Sequence, residues 1–247
     1  MDNAIAHRVE HLSWWAYRGP MKSDFKTLIP AYNATKGRFS LITVPPLQYL
    51  MIDGSGDPNT SQAYRDALST LYPVAYKLKF FSKGELERDY GVMPLEALWW
   101  AEDMDSFTGA RDKSLWSWTL MNMVPEWITR EHVEAACRVV AGKGAAPALD
   151  ILRLESLEEG LSVQTLHVGP YDDEGPVLEE MHHRFIPEQS LAMTGRHHEI
   201  YLSDPRRAAP ERLRTILRQP VAPSGLRVGE AADPGARPSH GQVSSRQ

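Results

Sequence analysis

Apolar and polar positions change period several times along the chain, and the changes mark out its elements. Between Gln62 and Phe81 the apolar residues Tyr64, Leu68, Leu71, Ala75 and Leu78 recur at helical spacing. That predicts an amphipathic helix with one buried face. Pro73 lies inside it, so a kink or a division is expected there. A second helix is predicted from the cap-like Thr129 through R-E-H-V-E-A-A-C-R-V-V. A third spans Val177 to Phe185, just past Pro176.

Runs rich in β-formers lie between these helices. Phe39 to Ile52 is one, and Pro45 and Pro46 make it an edge or bent strand. Tyr90 to Ala101 and Leu115 to Val124 are two more, separated by a polar loop with Gly109. Leu161 to Val168, the stretch G-R-H-H-E-I-Y-L-S-D-P from Gly195 to Pro205, and Leu213 to Val221 complete the set.

Each half of the chain therefore reads strand, helix, strand, strand, which predicts an α+β fold built from duplicated β-α-β-β units with a central ligand groove. The repeats are placed at about 38–125 and 155–221, after an N-terminal extension (1–21) whose Leu12, Trp14, Trp15 and Tyr17 suggest docking. From Ala222 the chain is polar and rich in Pro, Gly and Ser, as a disordered tail would be. Superposing the halves on their second strands sets W-W-A-E-D against Y-L-S-D-P, so that Trp99 corresponds to Tyr201 and Ala97 to Glu199.

Alternation in the Gly195 to Pro205 strand puts Glu199 and Tyr201 on one face and His198, Ile200 and Leu202 on the other. A mid-strand carboxylate is unusual by propensity and almost never fully buried without a partner. It is either one more solvated charge or the polar group of a concave site, and the aromatic residues decide between the two.

Composition narrows the classes. With 27 basic against 32 acidic residues, there is no electrostatic footprint for nucleic acid or an anionic membrane surface. Neither a signal core nor an apolar run long enough to span a bilayer is present, so a cytoplasmic address is expected. The single cysteine, Cys137, rules out an internal disulfide and reads as a structural thiol on the second helix. His182, His183, His197 and His198 suggest metal, but neighbours on a strand point apart, so His198 and Glu199 cannot share one ion without a bend. No metal and no cofactor are expected. G-S-G-D-P and G-K-G are ordinary turns, lacking the strand-to-helix context of a phosphate loop.

Five motifs in order carry a resemblance: M-P-L-E-A-L-W-W (Met93 to Trp100), W-S-W-T-L-M (Trp116 to Met121), V-G-P-Y (Val168 to Tyr171), H-H-E-I-Y-L-S-D-P (His197 to Pro205) and L-R-T-I-L-R-Q-P-V (Leu213 to Val221). From about Lys22 to Val221 the chain resembles the GyrI-like small-molecule-binding domain family. It looks most similar to a freestanding branch that includes cyclopropanoid cyclopropyl hydrolases. The resemblance implies a tandem (SHS2) α+β fold, a strand glutamate in a central groove ringed by aromatics, and a small-molecule substrate. It further implies water addition to the strained cyclopropane of DNA-alkylating natural products such as yatakemycin, as resistance or detoxification. Regulators in the family carry a separate helix-turn-helix module, which the residues before Met21 are too few to hold.

For such a reaction a carboxylate can deprotonate the attacking water while a phenol donates to the dienone oxygen. Glu199 is the candidate base, and Tyr201 or Tyr171 the donor. Trp99, Trp118 and Tyr171 are expected in an aromatic cage, with Trp100 and Tyr76 as weaker candidates. Trp116 and Trp118 share a face, either both in the groove or both in the core. The alternatives are a binding protein that sequesters planar or cationic xenobiotics, and an inhibitor of a protein partner such as gyrase.

Overall fold

A computed structural model describes residues 22–101, 112–144 and 146–225. The expectations for the N-terminal extension, the Gly109 loop, Glu102, Asp103 and the tail beyond Gly225 lie outside the described residues.

The fold is α+β. Among the described residues nine antiparallel strands run β1 (Ser40–Val44), β2 (Leu47–Ser55), β3 (Leu95–Trp100), β4 (Ser117–Met123), β5 (Arg153–Leu157), β6 (Gly160–Val168), β7 (Leu191–Met193), β8 (His197–Tyr201) and β9 (Arg214–Pro223). One helical turn, α1 (Phe25–Leu28), precedes them. Between the strands lie α2 (Gln62–Glu85), α3 (Arg130–Ala141) and α4 (Gly175–Glu179), the last continuing through a π-helical turn (Glu180–Phe185) to Glu188.

Spatial order along the sheet is β1-β6-β9-β8-β3-β4-β2-β5, with β7 extending the line beside β9. The units β2-α2-β3-β4 and β6-α4-β8-β9 each form one half, and they meet where β3 pairs with β8. In that pair Ala97 stands directly opposite Glu199.

The ends of the sheet also meet. Only Pro45 and Pro46 separate β1 from β2, and only Glu158 and Glu159 separate β5 from β6. Ser40 opposes Gln164, Val44 opposes Gly160, Leu47 opposes Leu157 and Met51 opposes Arg153 in one unbroken antiparallel register. The two prolines, which cannot donate to a ladder, bend this ribbon and let the sheet curl back on itself.

Curling gives the sheet an inner and an outer face. Tyr49, Met51, Leu98, Met121, Ile200 and Ile216 fill the inner core. Against the outer face α2 and α3 bury Leu71, Val74, Leu78, Val133 and Ala136 on Leu50, Ile52, Ala97 and Leu120. The segment after α4 brings Met181 and Ile186 onto Val163 and Leu217. The two helical layers leave a gap above the β3–β8 junction, and the candidate site lies there.

Three readings need correction. Pro73 does not divide α2, which is one helix of 24 residues. The carbonyl left without its N–H, that of Ser69, belongs to an exposed residue. The strand expected from Tyr90 begins only at Leu95, since Met93 and Pro94 turn their carbonyls to the Asn122 amide at 2.7 and 3.1 Å. β5 and β7 had no counterpart in the pattern, and β9 runs to Pro223 because β7 pairs with its end.

Charge is buried inside the curl. Glu159 accepts from Arg218 at 2.6 Å and lies 2.9 Å from His198 Nδ1. His198 Nε2 lies 3.0 Å from Glu96, which accepts from Tyr32 at 2.6 Å. Arg218 also donates to Gln164 and to the Ala31 carbonyl. Burial alone would push His198 down, but the Glu159 charge and the bonds to both carboxylates raise it to about 9. Burial would raise Glu159, and His198 and Arg218 instead hold it at about 2.

Candidate functional site

Besides β8 itself, four elements build the site around Glu199. The β8 alternation turns Glu199 and Tyr201 outward while His198 and Ile200 are buried inward, as the strand pattern requires. Across the junction Leu95 opposes Tyr201 and Trp99 opposes His197. From α2, whose first turn is capped by Ser61 accepting from the Tyr64 amide, Tyr64 lies over Trp99 with ring centroids 6.3 Å apart. Trp116, in the turn before β4, meets Trp99 edge-on at 5.6 Å.

The fourth element is the V-G-P-Y turn after β6. Gly169 has φ of +151°, and a Cβ there would lie 3.2 Å from the His167 ring, whose Nε2 is 3.0 Å from the Pro170 carbonyl. This turn delivers Tyr171 against Tyr201, ring centroids 5.5 Å apart and nearly perpendicular. At the mouth Lys113 donates to Asp172 at 2.7 Å, linking the two halves.

Together these groups enclose a cavity of about 1080 Å³, at the upper end of what ligand sites occupy. Its inner wall is Tyr64, Trp99, Trp116, Tyr171 and Tyr201, and four carboxylates line it: Glu199, the buried Glu174, Asp172 and Asp204. Arg65 and Arg206 lie on the lining with Tyr72 and Tyr76.

Hydrogen bonds order the carboxylate. The Tyr201 hydroxyl donates to Glu199 Oε2 at 2.6 Å and accepts from Trp99 Nε1 at 3.1 Å. Burial first, and then the Glu199 charge, raise the Tyr201 phenol well above its ordinary value. It remains a donor at neutral pH. Burial and the charges of Glu174 and Glu199 push Tyr171 up to about 12.

Of the expected site residues, Glu199, Tyr201, Tyr171, Trp99 and Tyr76 line the cavity. Two do not. Trp118 is fully buried, lying over Gly54, where a Cβ would overlap its indole, and donating to the Gly56 carbonyl at 3.3 Å. Tyr64 covers it edge-on at 5.2 Å and so takes the place in the wall that Trp118 was expected to fill. Trp100 points to the opposite face, where the Arg196 guanidinium stacks on it at 3.5 Å.

Tyr64, Trp116 and Glu174 were not among the expected residues. Tyr64 reads from sequence as one more apolar helix position, and Glu174 as one of three acids in a turn, so neither carries a signal without the fold. Among the described residues no three His, Cys, Asp or Glu side chains converge as a metal set would. Cys137 is half-buried on α3, and burial raises its thiol.

Comparison with known proteins agrees with the α+β fold. The family model for the GyrI-like small molecule binding domain matches residues 38–222. A solved structure of an uncharacterized conserved protein from Listeria innocua is 39% identical, with a TM-score of 0.74, covering 81% of this chain and 100% of that one. Two structures described as hydrolases from Listeria innocua are 36% and 37% identical, with TM-scores of 0.71 and 0.72, and cover 81% and 82% of this chain and all of theirs. No curated protein matches the chain.

Proposed function

Because the chain belongs to the GyrI-like small molecule binding domain family, we propose that its small-molecule cavity is the active site of a hydrolase that opens the cyclopropane of flat, spirocyclopropyl dienone alkylators. The observation that carries this reading is the Trp99–Tyr201–Glu199 chain of hydrogen bonds on one wall of an aromatic cavity. Two similar proteins described as hydrolases support it.

In the proposed reaction Glu199 takes a proton from water as the oxygen attacks the strained methylene. The broken C–C bond leaves its electron pair in the ring, where the dienone oxygen becomes a phenolate and then gains a proton from solvent. Water is added across one bond and nothing is oxidised. Tyr201 spends its hydroxyl proton on Glu199, so it orients the base, and Tyr171 is the phenol left to donate to the dienone oxygen. The aromatic walls hold a flat substrate beside one water, and such positioning contributes roughly 7–11 kcal/mol in the best cases.

A second reading draws on Glu174 and Glu199, which both line the cavity. Two carboxylates in an aromatic cavity suit a cation, which the protein would hold without changing it. Incubation with a spirocyclopropyl dienone in ¹⁸O-labelled water separates the two. The hydrolase reading predicts many equivalents of a ring-opened alcohol carrying one ¹⁸O, whereas unchanged compound protected at one equivalent per protein supports sequestration.

A further inference from the structure

Beside Glu199, outside the cavity lining, lies a group of buried polar side chains that the proposed chemistry leaves unused. His197 stands two residues before Glu199 on β8 and therefore projects from the same face. It is 2% exposed, and neither ring nitrogen has a hydrogen-bond partner among the described residues. Its Nε2 lies 3.6 Å from Glu199 Oε1, the oxygen that Tyr201 does not occupy.

His182 packs edge-on against His197, with ring centroids 5.8 Å apart at 77°. It too is buried, and its Nε2 has no hydrogen-bond partner among the described residues. It belongs to the π-helical turn Glu180–Phe185, a distortion that recurs at functional sites. The next residue, His183, has its ring 6.4 Å from that of His182, is 55% exposed and lies 3.7 Å from Glu179. A file of imidazoles thus leads from the cavity carboxylate to the surface. Burying imidazole nitrogens without partners costs stability, which makes a purely packing role a poor explanation.

We propose that His197 and His182 relay the proton that Glu199 removes from water out to solvent at His183. The proposal rests on the hydrolase reading. In each turnover Glu199 passes its proton to one nitrogen of His197, whose other nitrogen releases one toward His182, and His182 repeats the exchange toward the surface. The carboxylate is thereby returned to its basic form without waiting for the product to leave. The 3.6 Å gap closes on a small side-chain rotation. Burial, with His197 and His183 alongside, keeps His182 neutral, its pKa down at about 3, so that it passes a proton on without holding it.

These are positioning and relay residues, and the test reads what a structural role would leave alone. In full-length protein His197→Gln is expected to lower kcat by about 10²-fold with KM unchanged, within the range for lost proton transfer. Added imidazole should restore the rate in proportion to its concentration. His182→Gln should show a smaller, equally restorable loss. An unchanged kcat, or a loss shared by KM that imidazole does not restore, overturns the relay. ¹⁵N histidine NMR of wild type and Glu199→Gln supplies a readout without substrate: the signals of both His197 and His182 should move. Unmoved His182 signals overturn the relay whatever the activity. If both move while the wild type opens no ring, the coupled file stands and the hydrolase reading alone falls.

Discussion

Tyr201 and Glu199, two residues apart on one strand, are joined by a 2.6 Å hydrogen bond in which the phenol donates. The bond fixes which carboxylate oxygen is occupied and leaves the other toward His197. Tyr201→Phe removes it while keeping the ring. The expected outcome is a fall in kcat of about 10- to 100-fold with KM for a neutral planar substrate little changed, as for a group that orients a base. Steady-state kinetics check it, and a raised KM with an unchanged kcat would assign Tyr201 to binding alone.

Trp118 and Gly54 are expected to be coupled. Gly54→Ala places a methyl where the indole lies, so the variant should be destabilised by roughly 1–3 kcal/mol, as overpacked cores are. Trp118→Phe alone should also destabilise. The double variant should lose less than the sum, since the smaller ring leaves room for the methyl. Urea unfolding of the four proteins measures this, and strict additivity would show that the contact does not matter.

The buried charge cluster sets the pH window of stability. His198 is raised from its ordinary value to about 9, so its contribution is complete below about 6.5 and is lost as pH rises through 9. Glu159 is lowered to about 2, so its contribution is complete above about 4.5 and is lost as pH falls toward 2. Melting temperature should therefore peak between these limits and decline on both sides. His198→Gln should flatten the alkaline limb, and a wild type whose melting point is level from pH 6.5 to 9.5 would contradict the assignment. Arg218→Met, which leaves the buried Glu96–His198–Glu159 group one positive charge short, should cost about 3–5 kcal/mol.

What the sequence disclosed follows from period. The strand alternation at His198 to Tyr201 identified the Glu199 face, whereas the β3–β8 pairing, which period alone does not give, sets Ala97 opposite Glu199. Trp116 and Trp118 do share the helix-covered face, but only Trp116 reaches the cavity because Tyr64 lies over its neighbour. Alternation gives a side and cannot give a lid. Glu96, His198 and Arg218 are mid-strand charges on adjacent strands, and they become a cluster only once β3, β8 and β9 are known to be neighbours. β5 carries no apolar period in the sequence because Arg153, Glu155 and Ser156 make up most of it, with Arg153 pairing with both Glu155 and Asp53.

Trp99→Ala and Trp116→Ala each remove cavity wall and should weaken binding and turnover together, with KM and kcat/KM both affected. Trp100→Ala, on the opposite face, should leave KM within about twofold of wild type. A Trp100 effect as large as that of Trp99 would mean the substrate does not occupy this cavity.

The most direct test of the central claim is Glu199→Gln, assayed by single-turnover ring opening alongside affinity for the same spirocyclopropyl substrate. The substitution keeps the shape and a hydrogen-bonding partner for Tyr201 but removes the base. The account predicts unchanged affinity and a rate of ring opening lower by about 10²–10⁴-fold. A Glu199→Gln protein that opens the ring at the wild-type rate would contradict it.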